Sequence, residues 1–366
     1  MLQLKKIYFT VTNDLIYDQR MKRICTSLAE NGYSVTLVGF RKRNSKRLKE
    51  EKFIQKRLPL LFQKGKAFYV EVNLRLFFYL LFRKMSAVCA IDLDTILPCL
   101  FISKWKKVYR IYDAHELFTE TKEVVTRPRV QQFWRKIERY AVPKFSKAYT
   151  VGQSIAEEFN NRYKVRFEVI RNLTRLRNEI PDPEPRRFVL YQGAVNEARA
   201  FEYLIPAMKM IDNKLIVCGD GNFMDQLKKL VSAYGVEDKV ELRGMLPPEE
   251  LWDVSLEARV GITIIENLGL NQYYSLPNKF FDYIHAAVPQ VAVDYPEYRR
   301  INDQFEVAIL LEKTDPEIIA AAINNLLVND VLYKRLKDNC IMARKTLNWQ
   351  QEEKKLLSFY QSVFEQ

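Results

Sequence analysis

The sequence is poor in the residues that build metal sites and disulfides. Its 366 residues include two histidines, His115 and His285, and five cysteines, which are odd in number and widely scattered. No two cysteines have the spacing of zinc ligands. A structural metal is therefore not expected, and reduced thiols in a cytoplasmic protein fit best.

Long apolar runs are also missing. The best candidate for a membrane span, Leu74 to Phe82, has nine residues and contains Arg75, whereas a helix needs about 20 residues to cross a bilayer. The first residues, MLQLKKIYFTV, hold only a strand-length apolar run, so we expect no signal peptide. Glycine (11) and proline (14) are sparse, and hydrophobic residues make up 48%. The chain should therefore fold, at this length into about two domains.

Positive charge is concentrated in the first half. Residues 1–185 have a net charge of +18 and residues 186–366 a net charge of −5. This asymmetry indicates that the first half meets an anionic partner, although a basic surface that serves only solubility is the alternative. Between Arg41 and Met85, basic residues alternate with large apolar ones. This pattern favours a basic rim on an anionic membrane, at the inner face of the cell membrane, with most aromatics in the core. It also fits a helix that packs on the sheet with its basic ends in water. No nucleic-acid motif is present, so we do not expect nucleic acid as a partner.

Apolar runs that alternate with helix-length segments predict two doubly wound, Rossmann-like α/β domains that face each other across a cleft. Ligands of such sheets bind beyond the carboxyl ends of the strands. The linker stands out by its three prolines and alternating charges. We therefore expect a first domain over 1–172, a linker over 173–187, a second domain over 188–345 and a final helix over 346–366. The predicted strands are KIYFTV, SVTLVGF, AVCAI, VYRIYD, AYTV and FEVIRN in the first domain, and FVLYQG, KLIVCG, KVELRG, GITII and PQVAVD in the second.

The segment SLPNKFFDY (275–283) follows a predicted strand and begins a helix. Pro277 suits the first helical turn because its missing N–H would be unpaired there. Asn278 and Lys279 in that turn could meet phosphate oxygens beside free amides. Asp282 lies three residues further on the same face, where its carboxylate could accept two sugar hydroxyls. A simple Lys279–Asp282 surface pair is the alternative.

In the second half, two other segments have a glycine at the end of a predicted strand. YQGAVNEAR places Arg199 at the start of the next helix, where it could bind phosphate or simply be an exposed arginine. LIVCGDGN has two glycines at a turn, a weak signal, because tight turns need glycine anyway. It lacks the three-glycine dinucleotide fingerprint, which argues against a dehydrogenase.

In the first half, polar residues follow two predicted strands. His115 comes directly after VYRIYD, between Asp113 and Glu116. It could bind a sugar hydroxyl, or it could be a structural histidine. Acceptor hydroxyls or phosphates could be met at the rim after the first strand, although Asn13 or Asp14 could simply cap a helix there. The residues of this rim are Asn13, Asp14, Asp18 and Arg20.

Together these segments resemble the glycosyltransferases of the two-Rossmann (GT-B) type, and within them the retaining family four of bacteria, the glycosyl transferases group 1. The resemblance runs in order along nearly the whole chain, and its pieces are specific only as a set. They are NDLIYDQRMKRICTSLAENGYSV, IDLDT, YDAHELFTE, AYTVGQSIAEEF, VIRN, YQGAVNEARAFEYLIPA, LIVCGDG, VELRGMLP and SLPNKFFDYIHAAVPQVAV.

The resemblance implies a role for each matched residue. Arg199 and Lys279 would contact the donor diphosphate, His115 the donor sugar, and Asp282 the ribose. The rim from Asn13 to Arg20 would lie on the acceptor side, and NWQQEEKKLLSFYQSVF would be the helix that returns to the first domain. The remaining donor-binding residues would be Gly193, Gly221, Arg243, Gly244, Met245, Leu246, Glu266, Ser275, Leu276, Pro277 and Asn278.

The resemblance also implies the reaction. A nucleoside-diphosphate sugar, UDP- or GDP-linked, would donate its sugar with retention of configuration. The basic and aromatic first half favours a glycan or lipid-linked acceptor. We expect no metal or other cofactor, because the chain lacks a convincing metal-binding acid-X-acid site. The chain departs from the family pattern at Ala194, Ala200, Tyr274 and Ala287. Two other functions remain open: a sugar-nucleotide epimerase of the same fold, and a non-catalytic basic protein that docks on membrane or nucleic acid.

Overall fold

The computed structural model describes residues 4–177 and 188–365, and the chain divides into two compact units. The first comprises Met1–Asn172 and Glu352–Gln366, and the second comprises Leu173–Gln351. Residues 173–177, which we expected to be linker, pack with the second unit. The rest of the predicted linker, 178–187, lies outside the described residues.

The first unit contains a seven-stranded parallel sheet, in the order β3-β2-β1-β4-β5-β6-β7. Its central strands are continuous apolar runs because helices cover both faces of such a sheet. Strand β3, IQKRLP, was not predicted, since its polar sequence suits the edge that it occupies. The strands are β1 (Lys6–Thr10), β2 (Ser34–Arg41), β3 (Ile54–Pro59), β4 (Ala87–Ile91), β5 (Tyr109–Ala114), β6 (Lys147–Thr150) and β7 (Phe167–Val169).

Helices connect these parallel strands, except that an irregular segment over residues 42–53 joins β2 to β3. Short 3₁₀ turns follow β4 and β5 at Leu93–Thr95 and Phe118–Glu120. The helices are α1 (Gln19–Glu30), α2 (Gly65–Leu81), α3 (Ile96–Lys106), α4 (Lys122–Val125), α5 (Pro128–Ala141) and α6 (Gln153–Tyr163).

The second unit contains a six-stranded parallel sheet, in the order β10-β9-β8-β11-β12-β13. The strand order therefore reverses between β8 and β11, the point at which Rossmann-like sheets bind ligands. Strand β13, only four residues long and partly exposed, was not predicted. The strands are β8 (Phe188–Gln192), β9 (Leu215–Cys218), β10 (Val240–Gly244), β11 (Ala258–Thr263), β12 (Gln290–Val293) and β13 (Ala308–Leu311).

The prediction of two Rossmann-like α/β units is confirmed. The last helix starts in the second unit, and from Glu352 onwards it packs with the first. The helices after β8 are α7 (Phe201–Ala207), α8 (Met224–Tyr234), α9 (Pro248–Glu257), α10 (Leu270–Tyr273), α11 (Asn278–His285), α12 (Pro296–Phe305), α13 (Pro316–Val328), α14 (Asp330–Ala343) and α15 (Trp349–Phe364).

All five cysteines are free thiols in the interior. Each helix within residues 4–177 and 188–365 is too short or too polar to cross a membrane.

Candidate functional site

The candidate donor site lies where β8 and β11 end. Helix α11 packs against this end of the sheet: the Tyr283 hydroxyl donates to the Leu190 carbonyl at 2.8 Å and accepts from the Gln192 N–H at 3.2 Å. Gly261 of β11 leaves room for this ring, since a Cβ there would lie 2.6 Å from it. These contacts place α11, and with it the PNK segment, beside the last residues of β8.

Lys279 is buried in this site, with 8% of its surface exposed. Its ammonium lies 3.6 Å from the centre of the Tyr191 ring, and no hydrogen-bond partner for it exists among the described residues. The proposed Lys279–Asp282 surface pair is therefore absent. Burial, and then the charge of Arg199, hold the pKa of Lys279 well below its usual value. Arg199 is thus close enough to Lys279 for its charge to act on the ammonium.

Arg199 reaches this region from a loop rather than from a helix. Its prediction at a helix start was wrong, since α7 begins only at Phe201. The neighbours of Arg199, Ala198 and Ala200, both have positive φ (63° and 59°), so the chain turns sharply before α7. The loop is fixed from the other strand end, because the Glu266 N–H donates to the Ala198 carbonyl at 3.1 Å.

Asp282 lies in a chain of hydrogen bonds. Its Oδ1 accepts from the Thr174 hydroxyl at 2.8 Å and its Oδ2 from the Gln192 amide at 3.3 Å. The Ser255 hydroxyl in turn donates to Gln192 Oε1 at 2.8 Å, which fixes how the amide is turned. Gln192 is buried, whereas Asp282 is partly accessible. The carboxylate is thus held in one orientation near solvent, and sequence reasoning had no signal for Gln192 or Ser255.

Glycines shape the two loops that meet beside β8. Gly193 has a φ of +110°, which side chains rarely permit. At Gly221 a Cβ would lie 2.3 Å from the Val195 carbonyl oxygen, so the absence of a side chain allows the β9 loop to cross the β8 loop. This gives Gly221 a packing role at the position where a donor contact was expected.

The other residues expected to bind the donor occupy two stretches. At the end of β10, Arg243 pairs with Glu241 at 2.7 Å, Gly244 has a φ of +68° and Met245 is exposed. Leu246 packs against the small apolar cluster that includes Phe188. Before α11, the Ser275 hydroxyl donates to the Gln272 carbonyl and Leu276 packs on the core. Pro277 was expected in the first helical turn, but it is the residue that precedes α11, and Asn278 begins it.

In the first unit, His115 lies between two carboxylates. Its Nε2 is 3.1 Å from Asp113 Oδ2, its Nδ1 is 3.7 Å from Asp92 Oδ2, and its backbone N–H donates to Asp92 Oδ1 at 2.8 Å. Burial alone would lower the pKa of His115, but Asp113 and Asp92 raise it to about 9. Although burial opposes its ionisation, the charges of Arg20 and His115 keep the pKa of Asp113 low. The raised pKa favours the imidazolium form of His115, which lies between the two carboxylates.

Asp92 is a residue that sequence reasoning passed over. Its backbone has φ 55° and ψ 175°, a conformation that is almost restricted to glycine and is found mostly at functional sites. Burial raises the pKa of its carboxyl to about 7, against the opposing charge of His115. Burial and Asp92 likewise raise the pKa of Asp94 to about 7, and Thr12 donates to Asp94 at 2.8 Å. The IDLDT motif contains both acids, but its backbone strain cannot be read from residue types.

The expected acceptor-side residues are largely engaged with one another. Asp18 caps α1 by accepting from the Met21 N–H at 3.0 Å, and the Asn13 amide donates to Asp18 at 2.7 Å. Asp14 accepts from the Ile16 N–H and from the Ser45 hydroxyl. Arg20 is buried, pairs with Asp113 at 3.0 Å and donates to the Ile170 carbonyl. A helix cap was expected at Asn13 or Asp14, but Asp18 is the residue that caps α1.

The chain is similar to known proteins in the sequence of its second unit and in the fold of nearly its whole length. Residues 174–341 match the family model described as Glycosyl transferases group 1. In structure, the chain is similar to sucrose-phosphate synthase from Thermosynechococcus elongatus (TM-score 0.80, 16% identity, 98% of this chain and 99% of that one). It is similar to a glycosyltransferase from Rickettsia africae (0.75, 12%, 99% of each). It is also similar to HepE from Anabaena in complex with UDP-glucose (0.74, 10%, 98% and 99%).

A comparison with curated proteins gives no match. The family model and the shared fold nevertheless confirm the resemblance to GT-B glycosyltransferases of group 1.

Proposed function

Because residues 174–341 match the Glycosyl transferases group 1 family, we propose that the chain moves a sugar from a nucleoside-diphosphate sugar to a hydroxyl of a glycan or lipid-linked acceptor. The observation that carries this proposal is the buried Lys279 ammonium, which lacks a hydrogen-bond partner among the described residues. A buried cation is costly unless an anion compensates it. With Arg199 close by, a diphosphate fits this requirement.

The two cations would act on the leaving group. When the bond between the anomeric carbon and the diphosphate breaks, its electron pair goes to the diphosphate, and Lys279 and Arg199 would stabilise the added charge. The acceptor oxygen then bonds to the anomeric carbon, and its hydroxyl proton passes to the departing diphosphate. Since two side chains can neutralise the diphosphate, we propose that no metal or other cofactor is needed. Retention of configuration follows from the family resemblance alone.

Asp282 would accept hydrogen bonds from the ribose hydroxyls, since Gln192 and Thr174 already fix its orientation. HepE was solved with UDP-glucose, which favours UDP over GDP as the donor nucleotide here. The contact of His115 with the donor sugar and the acceptor-side role of Asn13 to Arg20 stay predictions. We also propose that the protein works in the cytoplasm, at the inner face of an anionic cell membrane.

The proton uptake that accompanies UDP binding tests the proposal. A diphosphate beside Lys279 favours its charged form, so binding should raise the pKa of Lys279 and take up a proton from solvent. Calorimetric titration of UDP across pH 7–10, in buffers with different ionisation enthalpies, measures this uptake. We expect it in the wild type and not in Lys279→Met, whose transfer rate should fall about 10²–10³-fold.

Lys229→Met is the matched control, because Lys229 is an exposed lysine of the same unit. It should leave proton uptake and turnover unchanged. The proposal fails if neither UDP nor GDP stabilises the protein, or if Lys279→Met turns over at the normal rate. An altered sugar formed without acceptor would indicate an epimerase instead.

A further inference from the structure

Helix α2 packs on the first sheet through one stripe of apolar residues. Val72, Leu76 and Leu80 are fully buried at a spacing of four residues, and Val72 and Leu76 form a cluster with Val38 and Phe40 of β2. This stripe accounts for the attachment of α2 to the unit. The rest of the helix surface is free to be polar.

The opposite face of α2 is nevertheless apolar. Val70, Leu74, Phe78 and Phe82 follow the same four-residue spacing and are 59%, 53%, 56% and 79% exposed. A helix on the surface of a soluble protein normally presents polar residues on this face. An apolar face of this length indicates an interaction with something other than water.

Helix α3 extends the apolar face. It packs beside α2 and exposes Phe101 (44%) and Trp105 (71%), again four residues apart. The Lys106 ammonium donates to the Arg83 carbonyl at 3.0 Å, which joins the carboxyl ends of the two helices. Phe82 and Trp105, each one residue from this contact, therefore lie at the same end. We call Val70, Leu74, Phe78, Phe82, Phe101 and Trp105 the α2–α3 face.

Exposed cations flank the residues of the α2–α3 face along the chain. The exposed cations next to it in the sequence are Lys66, Arg83, Lys84, Lys104 and Lys107. The single acid of the two helices, Glu71, is engaged, because it pairs with Arg75 at 2.7 Å and accepts from the backbone N–H groups of Leu61 and Phe62. The outward charge near the apolar residues is thus positive.

We propose that the α2–α3 face docks on an anionic lipid bilayer, with its aromatic residues at headgroup level and its lysines on the lipid phosphates. Large apolar side chains bordered by Lys and Arg are what an interfacial helix presents. Aliphatic Val70 and Leu74 would have no role on nucleic acid, and a protein partner gives no reason for cations at the border. Sequence reasoning placed most of these aromatics in the core and did not include Trp105.

This inference rests on the proposed function only in that a lipid-linked acceptor would give the enzyme a reason to stay at a membrane. Flotation with vesicles of phosphatidylcholine alone, or mixed with phosphatidylglycerol, tests it on the full chain. We expect binding only to the mixed vesicles, weakening as salt is added. Phe78→Glu/Phe82→Glu and Trp105→Glu should each reduce binding at least about tenfold, since each loses apolar burial.

Val331→Glu is the matched control, because Val331 is 83% exposed on α14 of the second unit. It should bind vesicles like the wild type. UDP-induced thermal stabilisation should be the same in every variant, so a failure of donor binding would overturn the proposed function and leave the docking result standing. The inference is overturned if the wild type does not bind anionic vesicles, or if Val331→Glu loses vesicle binding to the same extent as the other glutamate variants. It is also overturned if the only effect of those variants is to dissociate a dimer.

Discussion

Lys279 is an uncommon residue for a protein interior, because its ammonium is buried without a hydrogen-bond partner among the described residues. Such a group destabilises the fold while it is charged. Lys279→Met keeps most of the volume and removes the charge, so we expect a free energy of unfolding equal to or above that of the wild type, although activity is lost. Chemical denaturation at pH 7 measures this.

The effect of Lys279 on the free energy of unfolding should also depend on pH. Because the folded-state pKa of Lys279 is lowered, its destabilising effect is largest at low pH. It declines as pH rises through the folded pKa and is gone near the unfolded value of about 10.4. The stability of Lys279→Met relative to the wild type should therefore decrease as pH rises toward 10. A variant less stable than the wild type at pH 7 would contradict the account of Lys279 as an unpaired cation.

The pKa values of the two histidines should depart from the usual histidine value in opposite directions. His115 has a pKa raised to about 9 by Asp113 and Asp92, and burial lowers the pKa of His285, whose Nε2 lies 2.7 Å from the Leu347 carbonyl. With only two histidines in the chain, their NMR resonances can be followed separately. Asp92→Asn should lower the midpoint of His115 and leave that of His285 unchanged.

The same shift affects stability. A raised folded-state pKa means that the contribution of His115 is fully present below about pH 6.5 and is lost as pH rises through about 9. His115→Gln should therefore flatten the decline of stability between these values. If both histidines titrate near 6.5, the ion pairs of His115 do not form in solution.

At the scale of single residues, sequence patterns identified the side chains but not their partners. The PNK segment was enough to single out Lys279 and Asp282. Their contacts with Tyr191 and Gln192 depend on how α11 packs beside β8, which no local pattern specifies. The family that the sequence resembles has glycine at the positions of Ala200 and Ala287. Both alanines have the positive φ that suits glycine (59° and 54°). The backbone shape is thus retained although the residue type differs.

Strand β8 supplies one contact to Lys279 and one to Asp282, the two expected site residues of α11. Tyr191 lies under the Lys279 ammonium, and Gln192 donates to Asp282 from the next position. Because neighbouring residues of a strand point to opposite faces, one strand end can serve the diphosphate and the ribose together. The end of β8 was predicted closely enough to place the candidate site. The edge strand β3 was not predicted, because its sequence is polar.

Gln192 should act as a positioning residue for Asp282. Gln192→Leu removes the donor to Asp282 Oδ2, and we expect UDP to bind about tenfold or more weakly, as for a lost hydrogen bond to a charged group. Inorganic pyrophosphate, which has no ribose, should bind as before. Competition binding measures both affinities.

Ser255 provides the controls for this contact. Ser255→Ala should weaken UDP binding in the same direction, since the hydroxyl orients Gln192, and Ser255→Thr should preserve it. Equal losses for UDP and pyrophosphate in Gln192→Leu would mean that the change distorts the whole site.

At the scale of the whole molecule, each unit has its own parallel sheet and its own core, but α15 belongs to both. It begins in the second unit, and its later residues pack with the first. Alternating apolar runs predicted the two sheets because every buried strand carries that signal. Which residues of α15 pack with which unit depends on tertiary contacts that periodicity does not encode.

Tyr360 connects the end of α15 to the core of the first unit. It is fully buried, its ring lies 6.0 Å from that of Phe9, and its hydroxyl is 3.3 Å from that of Tyr149. Tyr360→Ala should destabilise the first unit by about 3–5 kcal/mol, as for other buried aromatics. UDP should still raise the unfolding temperature of the second unit, because ligand binding stabilises only the part that holds the ligand.

Scanning calorimetry with and without UDP measures both effects, and Tyr203→Ala, at a residue 36% exposed on α7, is the control. Loss of the UDP effect in Tyr360→Ala alone would show that the first unit must be intact for the second to bind its ligand.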